Sequence, residues 1–186
     1  MMHLQEMLDY NKEFVEGKQY EPYKTDSIPN KKMVVFTCME SRLVELLQRA
    51  LNIQNGDVKM VKNAGAIIRK PFDSIVKSIL VAVYNLQADE VAVIGHHDCG
   101  MSKMDVPALE KTMVERGIPQ ETIDALQHSG IDFEDEFHGF ETVEQSVEQS
   151  VSILRNHPLL PKNVKVHGLV IDPETGKVDV VTRDAK

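Results

Sequence analysis

Short apolar runs that stop at chemically reactive residues constrain this chain most. Met33–Thr37 (MVVFT) ends at Cys38, and Val91–Gly95 (VAVIG) runs directly into His96. Runs this short fit strands buried on both faces better than buried helices. Val58–Val61, Val164–Ile171 and Val178–Thr182 read as three further strands, the last two joined by a turn at Pro173-Glu174-Thr175-Gly176. The intervening stretches carry apolar residues at helical spacing: Leu43, Leu46, Leu47, Ala50 and Leu51, then Ile75, Ile79, Leu80 and Val83 within Phe72–Leu86. Asp105 to about His157 is more polar and mostly helical in pattern. Strands alternating with helices predict an α/β fold with a central, mainly parallel β-sheet flanked by helices.

Two flanking segments complete this reading. Residues 2–17 place Leu4, Met7, Leu8 and Phe14 on one side of an amphipathic helix, and 21–30, with two prolines, reads as a loop. With no internal repeat and no long linker, the 186 residues are expected to form a single domain, 1–186.

Charge narrows the partners. The balance of 21 basic against 29 acidic residues gives −8, which argues against nucleic acid or an anionic membrane as the main partner. No apolar run reaches the ~18–20 residues of a membrane span. The N-terminal stretch is interrupted by charges throughout, so a cytoplasmic protein is expected.

Open parallel sheets gather ligands beyond the carboxyl ends of their strands, where Cys38 and His96 stand. The only two cysteines are Cys38 and Cys99, and Cys99 lies three positions after His96. In a reducing compartment such cysteines suit metal binding better than a disulfide. Thiolate and imidazole are ligands that zinc prefers, and three of them leave a fourth place open, unlike a closed structural site.

Cys38-Met39-Glu40-Ser41-Arg42, followed by Gly95-His96-His97-Asp98-Cys99-Gly100, resembles the signature of the β-class carbonic anhydrases, Cys-x-Asp-Ser-Arg plus His-x-x-Cys. Lys62-Asn63-Ala64-Gly65-Ala66 is similar to the family's Arg-Asn-Ala-Gly stretch, and Val166–Val170 with Glu174–Lys177 resembles its last strands. The likeness covers about 30–100 and 164–182. It implies a zinc ion (Zn2+) on Cys38, His96 and Cys99, reversible hydration of CO2 to bicarbonate and a proton, and a homodimer or dimer of dimers in which the N-terminal helix packs on a partner subunit. It also implies that Glu40 and Arg42 replace the Asp–Arg pair that holds a carboxylate off the metal.

Glu40 departs from that pattern by one methylene, roughly 1.5 Å of reach. The longer side chain is expected to push its carboxylate toward zinc or to strain the pair, and displacements near 1 Å can change rates on the order of 100-fold. Two other readings therefore stay open: a carbonyl sulfide or carbon disulfide hydrolase on the same scaffold, and a zinc-binding protein with weak or no CO2 hydration.

Among the neighbours, Asp98 either orients a ligand or faces solvent, and Ser41 is expected to bond local backbone. Gly95-x-x-x-x-Gly100-Met101-Ser102 lacks the lysine of a phosphate-binding loop. The acidic run Asp132–Glu136 lacks calcium-loop spacing and reads as solvated.

Overall fold

The structure, a computed structural model, describes residues 3–184. One five-stranded sheet carries the fold, with strand order β2-β1-β3-β4-β5. The strands are β1 Met33–Cys38, β2 Val58–Asn63, β3 Glu90–His96, β4 Lys165–Ile171 and β5 Val178–Thr182. The first four run parallel, and β5 returns antiparallel at the edge. The α-helices are α1 His3–Glu16, α2 Leu43–Ala50, α3 Ser74–Asn85, α4 Val106–Glu115, α5 Gln120–His128, α6 Phe133–Phe137 and α7 Val143–Arg155.

The central strands are apolar throughout because both faces are buried. Val34, Phe36, Val91, Val93, Val166 and Val170 pack toward α3 and α7, whose inward residues include Val76, Ile79, Val147 and Leu154. Their neighbours Val35, Ala92, Ile94 and Ile171 point to the opposite face and meet Leu43 and Leu47 of α2. Helix α7 approaches the sheet so closely that side chains on two strand positions are excluded. A Cβ at Gly95 would lie 2.5 Å from Val143 Cγ2, and one at Gly168 would lie 2.7 Å from Val147 Cγ1.

Element boundaries follow local chemistry. The helical pattern begins at Phe72, but α3 starts at Ser74 because the Asp73 carboxylate accepts the Val76 N–H at 2.8 Å and caps it. Phe72 is left exposed. Strand β3 extends to His96 because Ile171 is there to pair with it, and β2 continues to Asn63 opposite Cys38. The buried His157 ties the end of α7 to the segment before α3: its Nε2 donates to the Pro71 carbonyl at 2.7 Å, and its Nδ1 accepts from Leu159 N–H at 3.1 Å.

Two apolar regions have room for further cover. Helix α1 has no buried residue, and Leu4, Met7 and Leu8 are all more than half exposed. Met2, which the pattern assigns to this helix, lies outside the described residues. On the α2 side of the sheet, Met33, Val35, Ala92, Ile94, Leu169 and Val180 line an open cleft of about 490 Å³. No helix among the described residues is long and apolar enough to cross a membrane.

Candidate metal centre

Parallel pairing places the ends of β1, β2 and β3 side by side, and each end delivers one part of the site. At the end of β1 the ladder continues one step, with Met39 N–H donating to the Asn63 carbonyl at 2.9 Å, so Cys38 is held at the rim. Beyond β2, the Asn63 side chain bridges its own loop: Nδ2 donates to the Ile67 carbonyl at 2.7 Å, and Oδ1 accepts the Ile67 N–H at 3.1 Å. That closure presents Gly65, at φ 80°, with its N–H donating to Cys38 Sγ at 3.2 Å. The left-handed conformation there is one that glycine adopts without strain.

Beyond β3 the chain reverses at Asp98, which has φ 52°, and returns Cys99 to the same point as His96. The Cys99 carbonyl then accepts the Ser102 N–H and hydroxyl at 3.0 and 2.8 Å, which fixes the turn. Cys38, His96 and Cys99 are all buried, and their ligand atoms lie within 4.8 Å of one another. The two sulfurs are 4.0 Å apart. Among the described residues these three side chains are the only group positioned in this way to bind a metal.

The histidine shows why a metal fits. His96 Nδ1 donates to the His97 carbonyl at 2.8 Å, which leaves the lone pair on Nε2. Nε2 is buried and has no hydrogen-bond partner. A buried acceptor left unpaired is unfavourable, commonly by about 1–3 kcal/mol. A cation between this nitrogen and the two sulfurs satisfies all three, and their donor types match zinc. The sulfurs are electrically poised for it. Their mutual hydrogen bond draws the Cys38 pKa down and pushes that of Cys99 up, so the pair shares one proton. Burial opposes charge on His96, but the neighbouring Cys38 sulfur and the His97 carbonyl leave its pKa above the ordinary imidazole value.

Glu40 and Arg42 sit beside this triad as a fork-on-fork pair. Arg42 Nε lies 3.1 Å from Oε1, and Nη2 donates to Oε2 at 3.1 Å. The Arg42 backbone N–H and the Ser41 hydroxyl also donate to Oε1, at 3.1 and 3.3 Å. Ser41 therefore bonds the Glu40 carboxylate and not local backbone. Arg42 holds the Glu40 carboxyl well below the usual range, at about 2. The extra methylene thus leaves the pair formed, and Oε2 stands 4.0 Å from His96 Nε2.

Asp98 faces Arg42 across the loop, a contact between positions far apart in the chain that no local pattern announces. His97 is exposed. The acidic run forms α6, where Asp132 caps the helix and Asp135 and Glu136 pair with Lys70.

Comparison with known proteins bears on the whole architecture. The carbonic anhydrase family profile matches residues 33–178. YtiB of Bacillus subtilis, provisionally named a carbonic anhydrase, is 54% identical, with 96% of this chain and 95% of YtiB covered. A carbon disulfide hydrolase from an Acidianus species is 31% identical over 88% of this chain and 85% of its own. The crystal structure of β-carbonic anhydrase isoform I from Trichomonas vaginalis superposes with a TM-score of 0.90 at 31% identity, covering 98% of this chain and 99% of that one. By sequence and by fold, then, the chain belongs to the β-class carbonic anhydrase family, whose metal is zinc.

Proposed function

We propose that this chain holds one zinc ion through Cys38, His96 and Cys99 and catalyses the reversible hydration of CO2 to bicarbonate and a proton. The observation that carries this reading is the buried, unpartnered His96 Nε2 converging with two sulfurs. When bound, zinc supplies a Lewis acid that makes water a nucleophile near neutral pH.

The protein's own groups do the rest. Cys38 and Cys99 give up their shared proton on metal binding, and the resulting charge is balanced locally. Arg42 keeps Glu40 ionised and turned to the side of the triad. Glu40 Oε2, 4.0 Å from His96 Nε2, would be the acceptor for a water held at the fourth place of a bound zinc. Asn63, Ala64, Met101 and Met104 line one side of a cleft of about 510 Å³ whose far wall carries Arg69, Lys70, Asp73 and Glu136.

The likeness to a carbon disulfide hydrolase supports a second reading, in which carbon disulfide or carbonyl sulfide takes the place of CO2. Stopped-flow CO2 hydration on zinc-loaded protein, run beside a sulfide-release assay with both sulfur substrates, separates them. CO2 hydration that is lost in Cys99→Ser together with zinc is the expected result. Sulfide release without CO2 hydration hands the site to the second reading. Full zinc loading with neither activity leaves a metal-binding protein that is not an enzyme.

The same proposal includes a homodimer or dimer of dimers, supported by the bare apolar side of α1 and the open sheet face. Two reduced thiols committed to a metal suit a reducing compartment, so we place the protein in the cytoplasm.

A further inference from the structure

We propose that Asp98 is a positioning residue of this site: it grips the side of the Arg42 guanidinium that Glu40 leaves free, and so keeps Glu40 turned away from the metal position. The inference rests on the zinc reading above.

Arg42 is held from two sides. Glu40 takes Nε and Nη2. Asp98 holds Arg42 twice: its carboxylate Oδ2 lies 3.5 Å from Nη1, the nitrogen that Glu40 leaves free, and its backbone carbonyl shares Nη2, accepting at 3.3 Å. Lys103 Nζ donates to the other carboxylate oxygen at 3.1 Å and steadies it. The chain Lys103–Asp98–Arg42–Glu40 ends 4.0 Å from His96 Nε2.

Backbone and side chain at Asp98 serve separable ends. The left-handed conformation at φ 52° lets His96 and Cys99 meet, and asparagine or glycine adopts it as readily as aspartate. A residue present only for the turn has no need of a carboxylate aimed at Arg42. Exposure also decides the kind of effect to expect. Asp98 is 64% exposed and Arg42 39%, so their ion pair adds little to stability. Orientation is more sensitive: without its outer grip the Arg42–Glu40 pair can swing, and Oε2 has a short path to the metal.

Cobalt(II)-substituted protein reads this directly, because its visible spectrum reports the ligand set and azide titration reports the open fourth place. The proteins compared are wild type, Asp98→Asn, Asp98→Gly, Glu40→Gln and the double variant Asp98→Asn with Glu40→Gln. Both Asp98 variants should bind one cobalt per chain, show a shifted spectrum and bind azide roughly tenfold more weakly, the scale of a contact that positions another group. In the Glu40→Gln background the same Asp98 change should leave azide affinity where Glu40→Gln alone puts it. An Asp98→Asn protein identical to wild type in spectrum and azide affinity overturns the inference, as does one that loses its cobalt. Wild type that takes up no cobalt overturns the metal reading itself, and the inference with it.

Discussion

Against one face of the sheet, α7 lies so near that Gly95 and Gly168 have no room for a Cβ, and α3 closes what remains. Against the other, α2 supplies Leu43 and Leu47, and the apolar cleft lined by Met33, Val35, Ala92, Ile94, Leu169 and Val180 stays open. Parallel sheets are ordinarily covered on both faces. The contrast teaches that this chain completes one layer by itself and leaves the second short of cover, while the apolar side of α1 lacks a surface to sit on.

Stability measurements can break that contrast. Leu154→Ala opens a cavity on the closed face and should lower the unfolding free energy by about 2–5 kcal/mol in denaturant titrations. Val180→Thr, on the open face, should change it by no more than about 0.5 kcal/mol. Equal effects would mean that the open face is as fully packed in solution as the closed one.

Assembly sharpens the contrast. Removing residues 1–17 should turn a sedimenting dimer or tetramer into monomer or aggregate, because the bare side of α1 then no longer covers apolar surface on another subunit. A full-length chain that sediments as a monomer at micromolar concentration would leave the open face without the proposed cover.

The smallest effect belongs to the turn that packs on α2. Asp172 Oδ1 accepts the backbone N–H groups of Thr175 and Glu174, at 2.8 and 2.9 Å, and the Thr175 hydroxyl, at 2.9 Å. These bonds, those of Thr175 first, hold its pKa below the ordinary carboxylate value. A folded-state pKa below the unfolded one contributes stability that is fully present above the unfolded value near 4 and is lost as pH falls through the folded value. The melting temperature of Asp172→Asn should therefore trail wild type at pH 7, and the gap should close on acidification below about pH 4. A gap that persists there would assign the effect to packing of the turn on α2.

The central strands and the triad were legible because each depends on short segments. Strands buried on both faces read as unbroken apolar runs, and Cys38 and His96 sit at their ends, where a parallel sheet gathers ligands. The edge of the site was less legible. Ser41, whose short side chain ordinarily bonds nearby backbone, bonds Glu40 instead, and the longer arm of Glu40 still meets Arg42 squarely. Asp98 reaches Arg42 only because β1 and β3 are neighbours, which spacing along the chain does not reveal. The helical stretch from Asp105 to His157 divides into four helices at caps such as Asp132 and Thr142, which a polar, weakly periodic segment does not separate in advance.

His96 owes its place in the ladder to Ile171, whose carbonyl also accepts the His97 N–H at 3.1 Å. Ile171 follows Cys38, His96 and Cys99 in the chain. While the polypeptide is still being made, Cys38, His96 and Cys99 have all emerged long before the strand that sets His96 in register. The nascent protein thus passes through an interval in which its two thiols are present without a finished pocket. A ribosome stalled before β4 would carry a chain with all three candidate ligands and no finished pocket.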